Sequence, residues 1–348
     1  MRNLYVSVLK SIFLPVNLVS MNMITLEQTE YNQQQLSLLL AYLKMQGYRF
    51  TTTSPASHEK VNNRPENAMA NNLAGIFGWN RSFSADAVEV SLFDLMQSAK
   101  ILTKTENGWK SLLRVSSINS RINFSHKERL FLHSAYPTTG NEAVFFGPDT
   151  YRFANEIQHF LSTNNQAIFR AVDIGTGSGV GAVLLAQALP ESEIIAADIN
   201  NAALNLARIN VDTADIHNIK LVHSDLLNNI KGNFDLIIAN PPYLVDEAKR
   251  TYRHGGGQLG TQLSLRIVDA AIQRLNPSGA LLLYTGVAIV DGHDTFLAEV
   301  ETKLKRAGFT FHYSEIDPDI FGEELLSETY NKADRIAAVV LTAQKQTG

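Results

Sequence analysis

The sequence predicts an α/β protein: a doubly wound, seven-stranded, mostly parallel Rossmann-like sheet in the second half, preceded by a separate α+β domain. Three observations predict this. From Ala167 onward short β-branched runs alternate with helical segments. One of those runs passes straight into a glycine turn that opens a helix. Charge divides the same way, with 14 Lys+Arg against 11 Asp+Glu in residues 1–150 and 16 against 23 in residues 151–348. A length of 348 residues suits two domains. At 45% hydrophobic and 18% charged, the chain is neither disordered nor collagen-like. Without any cysteine it cannot build disulfide scaffolds, thiolate metal sites or cysteine nucleophiles, whatever the compartment; the absence of cysteine is permissive of the cytoplasmic location that is expected. Every apolar run is broken before the ~18 residues of a membrane span, so no membrane partner is expected.

Residues 1–22 read as an extension or disordered arm. Arg2 precedes an apolar stretch, but Lys10 and Pro15 interrupt it and no small-residue cleavage site follows; Met21 or Met23 is an alternative start. Residues 23–140 read as an N-terminal substrate-recognition domain. Leu36, Leu39, Leu40 and Leu43 fall on one face of a helix over Glu27 to Gly47. Thr51 to Asn72, rich in Thr, Ser, Pro and Asn, predicts a loop. Ser91–Ala99 predicts a short helix, followed by strands Ile101–Lys104 and Trp109–Ser116 about a turn at Asn107-Gly108. That order suits a winged-helix-like module or an ordinary α+β cap. Lys100, Lys104, Lys110, Arg114, Arg121, Lys127 and Arg129 face only Glu106 and Glu128 in the 100–129 segment. They form either a solvated surface or a patch for RNA or DNA.

Residues 141–348 hold the expected sheet. Its strands are Phe169–Ile174, Ile194–Ala197, Lys220–His223, Phe234–Ala239, Ala280–Tyr284, Thr310–Ile316 and Ile336–Leu341. Helices are expected over Tyr151–Leu161, Val180–Leu189 and Leu263–Leu275. No internal repeat of 20–50 residues is present.

The chemistry begins where the first of these strands ends. Ala171–Ile174 runs into Gly175-Thr176-Gly177-Ser178-Gly179, where glycines let backbone approach a ligand and leave helix N–H groups facing it. Asp198, 23 residues after Gly175, ends the second strand, where a carboxylate can take both hydroxyls of a ribose. A nicotinamide cofactor and S-adenosyl-L-methionine both carry that ribose.

The fourth strand separates the two cofactors. Phe234–Ala239 ends in Asn240-Pro241-Pro242-Tyr243, and here the sequence resembles the class I S-adenosylmethionine-dependent methyltransferases that act on planar amino nitrogens. Such a nitrogen is a poor nucleophile because its lone pair is delocalised. The Asn240 side-chain oxygen and the Pro241 carbonyl can bind its hydrogens and align it for in-line displacement, so catalysis is mostly positioning. Tyr243 would stack on the planar group, and the prolines stiffen the loop. The bland alternative is a proline turn that ends a buried strand.

The resemblance extends from Phe145 to the C-terminus. It implies that Phe146-Gly147-Pro148-Asp149-Thr150 closes over the methionine part of the cofactor, with Pro148 and Thr150 as contacts. It places Asp225 beside the adenine, with a helix N-cap as its alternative, and Asp173 near the cofactor's ammonium, with a strand-end cap as its alternative. Gly256-Gly257 and Gly260 resemble a glycine stretch of the glutamine-amide methyltransferases that modify release factors, although Arg253-His254 stand where acidic residues are expected. His254 is a substrate contact or a loop residue. A protein glutamine amide is therefore the first expected acceptor. The alternatives are an exocyclic base nitrogen in rRNA, tRNA or DNA, a small planar amide, and a non-catalytic cofactor-binding regulator. No phosphate-binding P-loop is present, Ser178 lacks a nucleophile-elbow context, and none of the nine histidines pairs at a helical metal spacing, so no metal is expected.

Overall fold

The computed structural model describes residues 24–120, 127–138 and 140–346; the expected arm over residues 1–22, and Arg121 of the basic segment, lie outside the described residues. Helix α1 (Ile24–Met45) buries Leu36, Leu39, Leu40 and Leu43, and stops where Gly47 adopts φ +65°. Helix α2 (Pro55–Asn62) lies where the composition predicts a loop. The reason is local: the Ser54 hydroxyl accepts from the Ser57 amide at 3.3 Å, and Pro55 occupies the first helical position. Helix α3 (Val90–Ser98) leads into hairpin β1 (Leu102–Thr105)–β2 (Gly108–Ser111). The single strand expected over Trp109–Ser116 is broken at Leu112, whose amide donates to the Ile101 carbonyl, so β3 (Leu113–Ser120) pairs instead with β4 (Lys127–Ser134). Both hairpins are antiparallel and separate from the main sheet.

The second half follows the expected order closely. Helix α4 (Pro148–Thr163) precedes β5 (Arg170–Ile174), α5 (Val180–Ala188), β6 (Glu193–Asp198), α6 (Asn201–Thr213), β7 (Ile219–His223) and β8 (Phe234–Ala239). Then come α7 (Gln262–Arg274), β9 (Leu275–Val290), β10 (His293–Asp294), α8 (Thr295–Arg306), β11 (Phe309–Asp317) and β12 (Arg335–Lys345). The strands lie in the order β7-β6-β5-β8-β9-β12-β11, with β10 pairing only with β9. β5 through β9 are parallel to their neighbours within that set, and β12 runs antiparallel to both β9 and β11. β9 is far longer than the expected Ala280–Tyr284.

Apolar cores cover both faces of the sheet. Val183, Ile194, Leu236 and Leu282 belong to one, and Val172, Ile237, Leu281 and Leu341 to the other. A third core holds the N-terminal region together around Leu39, Phe77, Leu92 and Met96, and takes in Ile209 from α6. The buried Asn210 beside it joins the two parts. Its Nδ2 donates to Leu132 of β4 (3.1 Å) and to Ser178 of the glycine turn (2.8 Å), while its Oδ1 accepts from the Leu132 amide (2.9 Å). Among the described residues no helix is long and apolar enough to cross a membrane.

Candidate active site

The C-terminal ends of β5, β6 and β8 open onto one groove of about 470 Å³, the position at which an open parallel sheet binds ligands. The glycine turn forms its floor. Gly175 and Gly177 adopt φ +70° and +56° with open space where side chains would project, and the turn is held by Gly175 and Thr176 amides donating to Ala197 at 2.8 and 3.0 Å. Gly179 does not line the groove: a Cβ there would meet that of Ala207 at 3.3 Å, so this glycine serves helix packing.

Asp198 is buried at the end of β6 and accepts the Gly177 amide at 2.9 Å and the Asn200 amide at 2.8 Å. A carboxylate offers about four acceptor positions, so two remain for a ligand. Burial pushes its pKa up, against the hydrogen bonds that hold it down. Asp173 is buried at the end of β5. It lines the groove, yet its Oδ2 accepts from the Thr176 hydroxyl (2.6 Å) and the Ala182 amide (3.0 Å), clasping the turn to α5. Burial raises its pKa to about 6.

Asp225 also lines the groove, where Arg266 of α7 grips it at 3.0 and 3.1 Å. The helix-cap alternative fails, because residues 225–229 form a turn with no helix to cap. Thr150 lines the groove and caps its own helix, accepting from the Gly147 amide at 3.3 Å; Pro148, at the first position of α4, stands outside the lining.

Asn240, Pro241, Pro242 and Tyr243 all reach the groove from the end of β8. The Asn240 amide has no protein partner among the described residues and is half-buried. Tyr243 differs from the stacking platform expected of it. It is buried, its phenol donates to Asp149 at 2.6 Å, its edge meets Phe321 at 6.0 Å, and it fills the space that a Cβ at Gly286 would need. The glycine stretch is explained by backbone proximity: a Cβ on Gly255 would strike the Pro242 carbonyl, and one on Gly260 that of Tyr243. Those glycines let residues 254–260 lie directly on the Asn240–Tyr243 loop. His254 is fixed within this loop, its Nδ1 accepting the Asp246 amide at 3.2 Å, and also faces the groove. Asp246 bridges Arg250 and Arg253, and the hydrogen bond from Arg250 holds its carboxyl down to about 2.

The basic segment is only partly a surface. Arg114 is buried, donating to Gly78 at 2.8 Å and to the Thr52 hydroxyl at 3.2 Å. Lys110 donates to Tyr136 at 3.2 Å, Arg129 to Ala214 at 2.7 Å, and Lys104 lies over Trp109 at 5.9 Å. The helix–strand–turn–strand order of the winged-helix reading is present; Arg114, Lys110 and Arg129 are used within the fold, whereas Lys100 and Lys104 are exposed. Sequence reasoning missed Asp149, Asn200 and Arg266 as residues that shape the site. Asp149 stood inside the quoted turn; the pairing of Arg266 with Asp225, 41 residues away, leaves no local signal.

Residues 157–289 match the family model described as Methyltransferase small domain. The ribosomal protein uL3 glutamine methyltransferase of Neisseria meningitidis serogroup A is 35% identical over 133 residues, 35% of this chain and 44% of that protein. The release factor glutamine methyltransferase of Deinococcus radiodurans is 34% identical over 165 residues, 44% of this chain and 55% of that protein. The chain spans about half the length of the curated relatives it matches. A methyltransferase structure from Pyrococcus furiosus covers 56% of this chain and 83% of its own, at 18% identity and TM-score 0.40, a likeness too loose to bear on chemistry. The stretch matched by the family model, residues 157–289, carries both the glycine turn and the Asn-Pro-Pro-Tyr loop, and it is this stretch that is similar to a methyltransferase small domain.

Proposed function

We propose that this chain is a cytoplasmic S-adenosyl-L-methionine-dependent N-methyltransferase whose acceptor is a glutamine amide of a protein. The observation that carries the reading is the unpartnered Asn240 amide, held at the end of β8 in the same groove as the glycine turn and Asp198. The groove suits the cofactor: two left-handed glycines leave open space, and Asp198 keeps acceptor capacity for ribose hydroxyls. Asp225, with Arg266, would flank the adenine end, and Asp173 and Thr150 the methionine end. When bound, the cofactor supplies an electrophilic methyl group on a sulfonium.

The chain's own contribution is orientation. Asn240 and the Pro241 carbonyl would accept the two N–H bonds of the acceptor amide and turn its nitrogen toward the methyl carbon. The buried, stiff loop pays little reorganisation as charge develops. The nitrogen would gain its bond to carbon as the sulfonium–methyl bond breaks to leave a neutral thioether, and one N–H proton would pass to solvent. Residues 23–140 would recognise the acceptor protein and 141–348 carry the reaction, a division supported by Pro55, which reaches the groove from α2. Glutamine is favoured over a nucleobase by the names of the relatives and by the internal use of Lys110, Arg114 and Arg129. The test is incubation with methyl-labelled cofactor and, separately, ribosomal protein uL3, a release factor, cellular RNA and duplex DNA. Label in a glutamine of either protein is expected; label confined to nucleic acid or small molecules overturns the reading.

A further inference from the structure

We infer that Asp149, on the groove wall, is a positioning residue, which fixes the acceptor-clamping loop through the phenol of Tyr243. The inference rests on the transfer reaction proposed above and names a residue that the reaction's own chemistry does not require. Asp149 is the second residue of α4 and only 5% exposed. A buried carboxylate is tolerated only when its lone pairs are taken up. Here Oδ2 accepts from Tyr243 at 2.6 Å, and Oδ1 accepts from Tyr284 at 2.7 Å and from Arg152 at 2.9 Å. The other terminal nitrogen of Arg152 donates to Asp317 at 2.7 Å. One carboxylate therefore ties together the loop after β8, the middle of β9 and the start of α4, and Arg152 extends the link to the end of β11. Burial first, then the Asp149 charge, pushes both phenols well above the usual tyrosine range, so they remain donors.

The geometry gives Tyr243 no alternative seat. Gly286 of β9 has no side chain, the Tyr243 ring occupies that space, and Phe321 closes its edge from a left-handed backbone (φ +53°). The ring is clamped and its hydroxyl is pinned, so the backbone from Asn240 to Tyr243 inherits a fixed position. Asp149 does not need to touch acceptor or cofactor for this.

Removing either of two phenol oxygens that donate to the same carboxylate isolates the effect. Tyr243→Phe removes the bond to the loop, and Tyr284→Phe removes the bond to β9 while leaving the loop pinned. Hydrogen–deuterium exchange on the full chain without ligand should show the amides of Asn240 and of residues 243–247 exchanging about tenfold or more faster in Y243F and in Asp149→Asn, and near the parent rate in Y284F. With uL3 or release factor as acceptor, kcat should fall about ten- to a hundredfold in Y243F with cofactor Kd within about twofold. In Y284F it should stay within about threefold of the parent. Equal exchange in Y243F and Y284F overturns the inference, as does a kcat loss explained by cofactor Kd. If the parent labels neither protein, the transfer reading fails and the exchange comparison still decides whether Asp149 positions the loop.

Discussion

The two regions that meet at the groove spend their charges in opposite ways. At the end of the parallel sheet, Asp198 is held by two backbone amides and retains acceptor capacity toward the groove. In the N-terminal region, Arg114 and Lys110 direct their donors at carbonyls and hydroxyls of their own fold. Asp198 spends part of its acceptor capacity on backbone amides and keeps the rest facing the groove, whereas Arg114 and Lys110 spend their donors inside the fold. Arg114 and Lys110 thus add to the basic sequence without offering free cationic heads.

Mutation sharpens that contrast. Asp198→Ala should have the largest effect: losing two charge-assisted bonds of about 1.5–3 kcal/mol each predicts a roughly 10²–10⁴-fold weaker cofactor Kd by calorimetry. Asn240→Ala should leave that Kd within about twofold and lower methyl transfer by roughly 10²–10³, the scale of one preorganised polar group. Parallel loss of both would make the loop a scaffold for the cofactor and blur the contrast. Arg114→Met keeps bulk but strands the Gly78 carbonyl and the Thr52 hydroxyl; a loss of about 2 kcal/mol in denaturant unfolding is expected. The same variant should retain duplex DNA no differently from the parent at any salt concentration. A shallower salt dependence would return the cation to the surface.

The smallest effect concerns Asp173. Burial holds its folded pKa near 6, above the ordinary 3.8, so between those values the folded protein binds more protons than the unfolded chain, and ionisation above 6 is the costly state. A cationic ligand group favours the carboxylate. Cofactor affinity should therefore rise with pH through 6, by at most about tenfold per pH unit on the acid side, and Asp173→Asn should flatten the profile.

The legibility of the sequence follows the same division. Strand, glycine turn, Asp198 and the Asn240–Tyr243 loop were readable because each depends on neighbours in the chain. β9 was not readable beyond Tyr284, because Gly286 resembles a strand break until the Tyr243 ring is seen in its place. Helix α2 was hidden by composition, although Ser54-Pro55 is a capping signal that could have revealed it. Arg114 looked like a surface cation, since nothing near it in sequence announces Gly78 or Thr52, 36 and 62 residues away. Asp149 was likewise invisible as an anchor, with partners 94 and 135 residues distant.

The buried amide of Asn210 bears on how far the protein is modular. It serves Leu132 of β4 with both donor and acceptor, and uses its remaining donor on Ser178 of the glycine turn. A fragment beginning at residue 141 would release that amide, uncover Ile209, and leave the Ser178 carbonyl tied to a side chain that had lost its other tether. The portion bearing the glycine turn is consequently not a transplantable cassette. Grafting it onto a different recognition region would require that region to bring its own strand to Asn210.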